Sequence, residues 1–127
     1  MSFDWRQYVQ LAGELINCPD TSPIKEAYFR CAVSRTYYGM FCMLRDFWES
    51  QNGCIYETGS IHRFVINKYK ESNKSDERKI GADIDRLRHS RIAADYKSDV
   101  RIDYNDAAKA YKKSKQLLKQ LEELSCA

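Results

Sequence analysis

An arginine and an aspartate one helical turn apart, set in a stripe of aliphatic residues, can form an inward ion pair or hold an anion. This chain contains such a pair. Ile80, Ile84, Leu87 and Arg91 follow one another at spacings of four, three and four, which on a helix places Arg91 within about 20° of the centre of the apolar stripe. Asp95 comes one turn later and Arg88 lies three positions earlier, both within side-chain reach of Arg91 along a helix. A guanidinium on an inward face must be compensated. Asp95 is the expected partner, either neutralising Arg91 or orienting it toward a phosphate, which a guanidinium binds through charge-assisted hydrogen bonds. Removing Asp95 is then expected to cost more than removing Arg88, about 3 to 5 kcal/mol if the pair is buried.

Tyr28, Cys31, Arg35, Tyr38 and Cys42 also follow helical spacing and include one charge, so Arg35 is expected to face the bundle seam, with Tyr38 as a second candidate binding residue. Tyr37 and Tyr38 are expected as core residues whose hydroxyls find partners. His62 is a similar case, whereas His89 falls about 180° from Ile80 and should face solvent.

Apolar residues recur at three and four positions almost throughout, with 5 Gly and 2 Pro in 127 residues, and no strand-like alternation competes with this pattern. The expected fold is all-α, an antiparallel bundle of four to five helices forming one domain over residues 1–127. A first helix is expected from Phe3 to Ile16, capped by Ser2, with Trp5, Tyr8, Val9, Ala12, Leu15 and Ile16 inward. Ser22-Pro23 reads as the start of a second helix that runs to about Gln51 and is apolar around most of its circumference. Such a helix is central or dimer-forming. A short third helix should span Ser60 to Tyr69, a fourth Ser75 to Tyr96, and a fifth should start at Asp103 or Asn105 and carry Leu117, Leu118 and Leu121.

The longest apolar runs are broken by charge well short of the roughly 20 residues a bilayer span needs, and the first ten residues lack the pattern of a secretory signal. A cytoplasmic protein with no membrane partner is expected. Cys18, Cys31, Cys42, Cys54 and Cys126 are an odd number without a C-x-x-C pair, so free thiols are expected, with Cys31 and Cys42 buried as small hydrophobes. No His or Cys has zinc-ligand spacing, which argues against a metal or redox enzyme, and no metal or other cofactor is expected. The net charge of +3 is compatible with weak attraction to RNA but does not establish it.

Three runs taken together resemble a known family: Ser34-Arg35-Thr36-Tyr37-Tyr38-Gly39-Met40-Phe41, then His62 with Val65-Ile66, then Arg91-Ile92-Ala93-Ala94-Asp95-Tyr96. Their order and spacing are similar to the HEPN (higher eukaryotes and prokaryotes nucleotide-binding) superfamily, in particular an uncharacterised subfamily with an R-x-x-A-D-Y signature, over about Pro23 to Leu124. The resemblance implies four or five helices, homodimers, RNA or a nucleotide as ligand, and a place in toxin–antitoxin or defence loci beside an antitoxin or a minimal nucleotidyltransferase. Many members are metal-independent endoribonucleases whose motif is Arg, four to six residues, then His. After Arg91 the corresponding positions are Tyr96, Lys97 and Ser98, so the linear catalytic pair is missing and a degenerate ribonuclease is implied. In that scheme Arg91 would stabilise charge developing on the phosphate as a ribose 2′-hydroxyl attacks it, with Tyr96 or a spatially close His62 in place of the missing imidazole. Arg91, Asp95, Arg88, Arg35 and Tyr38 are the candidate binding residues.

The same polar groups suit a different role, a non-catalytic interaction or dimerisation domain in which they fix helix register. Self-association is expected because the second helix has more apolar circumference than a monomer easily covers.

Overall fold

The structure, a computed structural model, describes residues 2–56 and 59–126. Among these residues there are five helices and no strands: α1 (Arg6–Leu15), α2 (Lys25–Asn52), α3 (Ile61–Lys70), α4 (Ser75–Tyr96) and α5 (Tyr104–Ser125).

The helix starts follow from which polar groups reach free backbone N–H groups. At α1 it is Asp4 that does so, its Oδ1 accepting from the Arg6 N–H at 3.1 Å while both oxygens engage the Arg6 guanidinium. The helix therefore begins three residues later than expected, and Ser2 does not cap it. At α2 the Ser22 hydroxyl accepts from Ile24 N–H only two residues on, which closes a turn and not a helix end. The first α2 backbone bond runs from Tyr28 to Ile24, two residues beyond the expected Ser22-Pro23 start. Ser60 caps α3 by accepting from Arg63 N–H. Asp103 and Asp106 form a reciprocal capping box at α5, each carboxylate accepting from the other's backbone. Gly53 ends α2 at φ +88°, a conformation in which a side chain is strained.

α2 packs against every other helix, which accounts for its apolar circumference. Ten of its residues are buried, among them Val33, Tyr37, Met40, Phe41 and Leu44. The circumference that suggested a dimer is thus largely filled within the chain, and the exposed large apolar side chains include Ile24, Tyr56, Tyr96, Val100 and Tyr104. α1 runs against α2, Tyr8 meeting Arg35 and Trp5 meeting Arg45. α4 also runs against α2. Arg30 lies at Ala94 and Tyr37 at Arg91. Val9, Ala12, Met40, Leu44, Val65, Ile66, Ile80, Ile84 and Leu117 share the core cluster, so every helix contributes.

Two close contacts fix α3. The Tyr69 hydroxyl donates to the Leu44 carbonyl at 2.7 Å in the core, and Gly81 lets α4 approach the end of α3 so closely that an added Cβ would lie 2.6 Å from the Lys70 backbone nitrogen. All five cysteines are free. Cys42 is buried as expected but Cys31 is exposed. No helix among the described residues is long and apolar enough to cross a membrane.

Candidate functional site

The seam where α2, α3 and α4 meet is built around Arg91. Its residue is 6% exposed, and the guanidinium lies over three tyrosine rings, with its central carbon 5.2 Å from the centroids of Tyr37 and Tyr38 and 5.8 Å from that of Tyr96. The rings supply the electron-rich surface that a planar cation accepts in a low-dielectric place. Asp95 contributes less than expected. Its Oδ2 stands 3.7 Å from Arg91 Nη1, too far for a hydrogen bond, and accepts instead from the Ser34 hydroxyl at 3.2 Å. The result is a loose ion pair in which Arg91 Nε has no hydrogen-bond partner in the protein.

Arg88, one turn back and half-buried, also has a buried Nε without a partner. Two cations with unused donors therefore sit side by side, and buried donors are normally satisfied. Arg35 lies toward the rim, over the Tyr8 and Tyr38 rings at 5.0 and 5.4 Å, and donates to Ser34 Oγ at 3.3 Å. Tyr38 is thus shared by the guanidiniums of Arg35 and Arg91.

His62, at the start of α3, enters from the third side. Its ring stacks on Phe41 at 4.2 Å between centroids and meets the edge of Tyr38 at 6.0 Å. Its Nδ1 is 2.7 Å from the hydroxyl of the fully buried Tyr37. Burial holds the imidazole below its ordinary pKa, and the nearby Arg91, Arg88 and Arg45 add to the effect. Burial pushes the Tyr37 phenol up, only partly offset by Arg88 and Arg91. Tyr37 therefore keeps its proton, and with no other acceptor among its hydrogen bonds it donates to Nδ1. The neutral imidazole then carries its own proton on Nε2. In that tautomer His62 offers a hydrogen-bond donor at Nε2.

Arg91, Arg88, Asp95, Arg35, Tyr38 and His62, singled out on separate helices, thus meet at one seam. Tyr96 stands at its mouth, 73% exposed. His89 is outside it, exposed, with Nδ1 against the Asp85 carbonyl.

Ser34 and Arg30 were not singled out. Ser34 lay inside a motif run, but its bond to Asp95 depends on how α2 meets α4. Arg30 anchors the end of α4: its Nη1 donates to the carbonyls of Ala93 and Ala94 at 3.2 and 2.9 Å, and its Nη2 to those of Lys97 and Val100. Its Nε donates to Glu26 at 3.0 Å, and the same Glu26 oxygen accepts from Ile102 N–H. The backbone bond from Ile102 and the one from Arg30 hold the Glu26 carboxyl below its usual range. The available signal was the i, i+4 spacing of Glu26 and Arg30, which marks a helical ion pair but says nothing of its target. Among the described residues no group of three or more His, Cys, Asp or Glu side chains could hold a metal ion.

The HEPN domain family model matches residues 23–124. The chain belongs to the HEPN domain family. The match covers α2 to α5 and omits α1, so the seam of this HEPN domain lies wholly within the shared part. No curated protein and no solved structure matches the chain.

Proposed function

We propose that this HEPN domain holds a phosphate of RNA or of a nucleotide at the Arg88–Arg91 seam without cleaving it, as a degenerate ribonuclease of a toxin–antitoxin or defence-type system. The observation that carries this is the pair of buried arginine Nε donors without a protein partner, beside a His62 whose Nδ1 is already paired with Tyr37. Together they offer N–H groups to an anion, while the chain lacks the Arg-x(4–6)-His spacing of the ribonuclease motif after Arg91. Asp95 keeps the cluster from full positive charge, which suits a ligand exchanged at the mouth and not one buried permanently.

The test is fluorescence anisotropy with a labelled single-stranded RNA in chelator, read beside a cleavage gel. Wild type is expected to bind with an affinity that falls as salt rises and to leave the RNA intact. Arg91→Lys is expected to weaken binding about tenfold, because the charge remains but the planar fork is lost. Cleavage abolished by both Arg91→Ala and His62→Ala would replace this function with that of an active endoribonuclease.

The second function, a dimerisation or partner-binding domain, is favoured by the exposed Tyr96, Val100 and Tyr104 at the α4–α5 connection, where Tyr104 also packs edge-on against Phe29. Absence of RNA retention, combined with a dimeric mass by light scattering that Tyr104→Ser abolishes, would select it.

A further inference from the structure

α4 presents a second face, away from the seam. Arg86, Ser90 and Ala93 point roughly 165° from the mean direction of Arg88, Arg91 and Asp95 at 100° per residue, with Leu87 on the buried side between the two faces. They line a cleft of about 370 Å³ closed on the other sides by α2, α5 and the α4–α5 connection. Its apolar lining is aliphatic: Val33, Leu87, Ala93, Val100, Ile102 and Ala110. No aromatic ring lines it, so a flat base would find nothing on which to stack. Four cations, Arg86, Arg101, Lys109 and Lys113, lie at its rim with a single lining carboxylate, Asp106.

Two of those cations are held in place. Asp83, 5% exposed, places its Oδ1 2.9 Å from Arg86 Nη1 and 3.7 Å from Lys113 Nζ. One buried carboxylate thus draws together cations from α4 and α5 whose side chains also line the cleft. Among the described residues Lys109 and Arg101 form no close salt bridge, although Arg101 lies near enough to Glu26 and Asp103 to help hold both carboxyls low, and Asp106 is committed to the α5 capping box. With Asp83 and Asp106 counted, and Arg101 partly balanced by Glu26 and Asp103, little positive charge is in excess, which allows at most a singly charged head and disfavours a polyphosphate. The volume is at the small end of ligand pockets, which run from about 300 to 1,000 Å³.

We infer that this cleft binds a carboxylate-headed aliphatic molecule, a medium-chain fatty acid in chemical class, with the chain on the Val33–Leu87–Ile102–Ala110 floor and the head among Arg86, Arg101, Lys109 and Lys113. The site is separate from the Arg91 seam and does not depend on the function proposed for it.

The experiment is calorimetric titration of the full chain with sodium decanoate below its micelle concentration, beside decanol, decyl phosphate and inorganic phosphate. Decanoate is expected to bind at one saturable site, more tightly than the other three. The double variant Arg101→Gln, Lys109→Gln and the cleft-filling Ala110→Leu are each expected to weaken it about tenfold, a change of about 1.4 kcal/mol, while Arg91→Lys binds it as wild type does. Circular dichroism melts of each variant separate loss of the site from loss of the fold. If Ala110→Leu does not fold, the exposed-rim double variant alone decides. Equal binding of decanol, preference for decyl phosphate, decanoate binding unchanged in the folded rim variant, or no saturable binding would each overturn the assignment.

Discussion

The buried hydroxyl of Tyr37 donates to Nδ1 of His62 across 2.7 Å, joining α2 to α3. Tyr37→Phe removes the donor and leaves the half-buried imidazole nitrogen without its partner, at an expected cost of about 1 to 3 kcal/mol. Asp95→Ala, by contrast, removes a carboxylate that is 26% exposed and 3.7 Å from Arg91, so its expected cost is about 1 kcal/mol or less. Urea denaturation midpoints check the order, and an Asp95→Ala loss greater than that of Tyr37→Phe would show the ion pair to be tighter than its geometry.

His62 makes stability depend on pH in a defined direction. Its folded pKa is held below the unfolded value of about 6.5, so the unfolded chain binds the proton more readily. The contribution is present above about pH 6.5 and is lost as pH falls through the lower folded value. Thermal melts taken from about pH 7.5 to 5.5 should show a falling midpoint, with a shallower fall in His62→Gln. Identical slopes in the two proteins would mean that His62 is as readily protonated in the fold as outside it.

Arg30→Ala should destabilise by about 2 to 3 kcal/mol, since charge-assisted bonds to several carbonyls are lost together. Arg30→Lys should recover only part of this, as one ammonium cannot span the same acceptors. Hydrogen exchange of the amides from Tyr96 to Asp103 is the direct check. Unchanged protection there in Arg30→Ala would show that the connection holds its path without the clamp.

Gly81→Ala pits two effects against each other. Alanine gains about 1 kcal/mol of helix propensity over glycine, but its methyl would lie 2.6 Å from the Lys70 backbone nitrogen, and overpacking costs about 1 to 3 kcal/mol. Backbone cannot swing aside as a side chain can, so net destabilisation is expected. A higher melting temperature for Gly81→Ala would mean that α3 shifts freely against α4.

The helices were legible because each buries a stripe that recurs every three or four residues, and the inward position of Arg91 followed from the same arithmetic. Helix starts were less legible. Ser2 and Ser22 have the right chemistry for caps, but Asp4 reaches the first turn of α1 and Ser22 closes a local turn instead. The spacing of Cys31 could not distinguish an exposed position on α2 from a buried one. For Asp95, sequence could supply the partner's identity but not the distance, which the Ser34 bond helps to set. The pairing of His62 with Tyr37 had no local signature, because the two residues are 25 positions apart and meet only once α3 has docked.

Arg30 recognises the α4–α5 connection entirely through carbonyl oxygens, those of Ala93, Ala94, Lys97 and Val100. Every amino acid offers a carbonyl, so the anchor is indifferent to which side chains the connection carries. Lys97, Ser98 and Asp99 can therefore be exchanged for other non-proline residues while the chain keeps its course between the two faces of α4. The stretch between the Arg91 seam and the aliphatic cleft is thereby a place where surface chemistry can diversify at little structural risk, a variable rim carried on an invariant path.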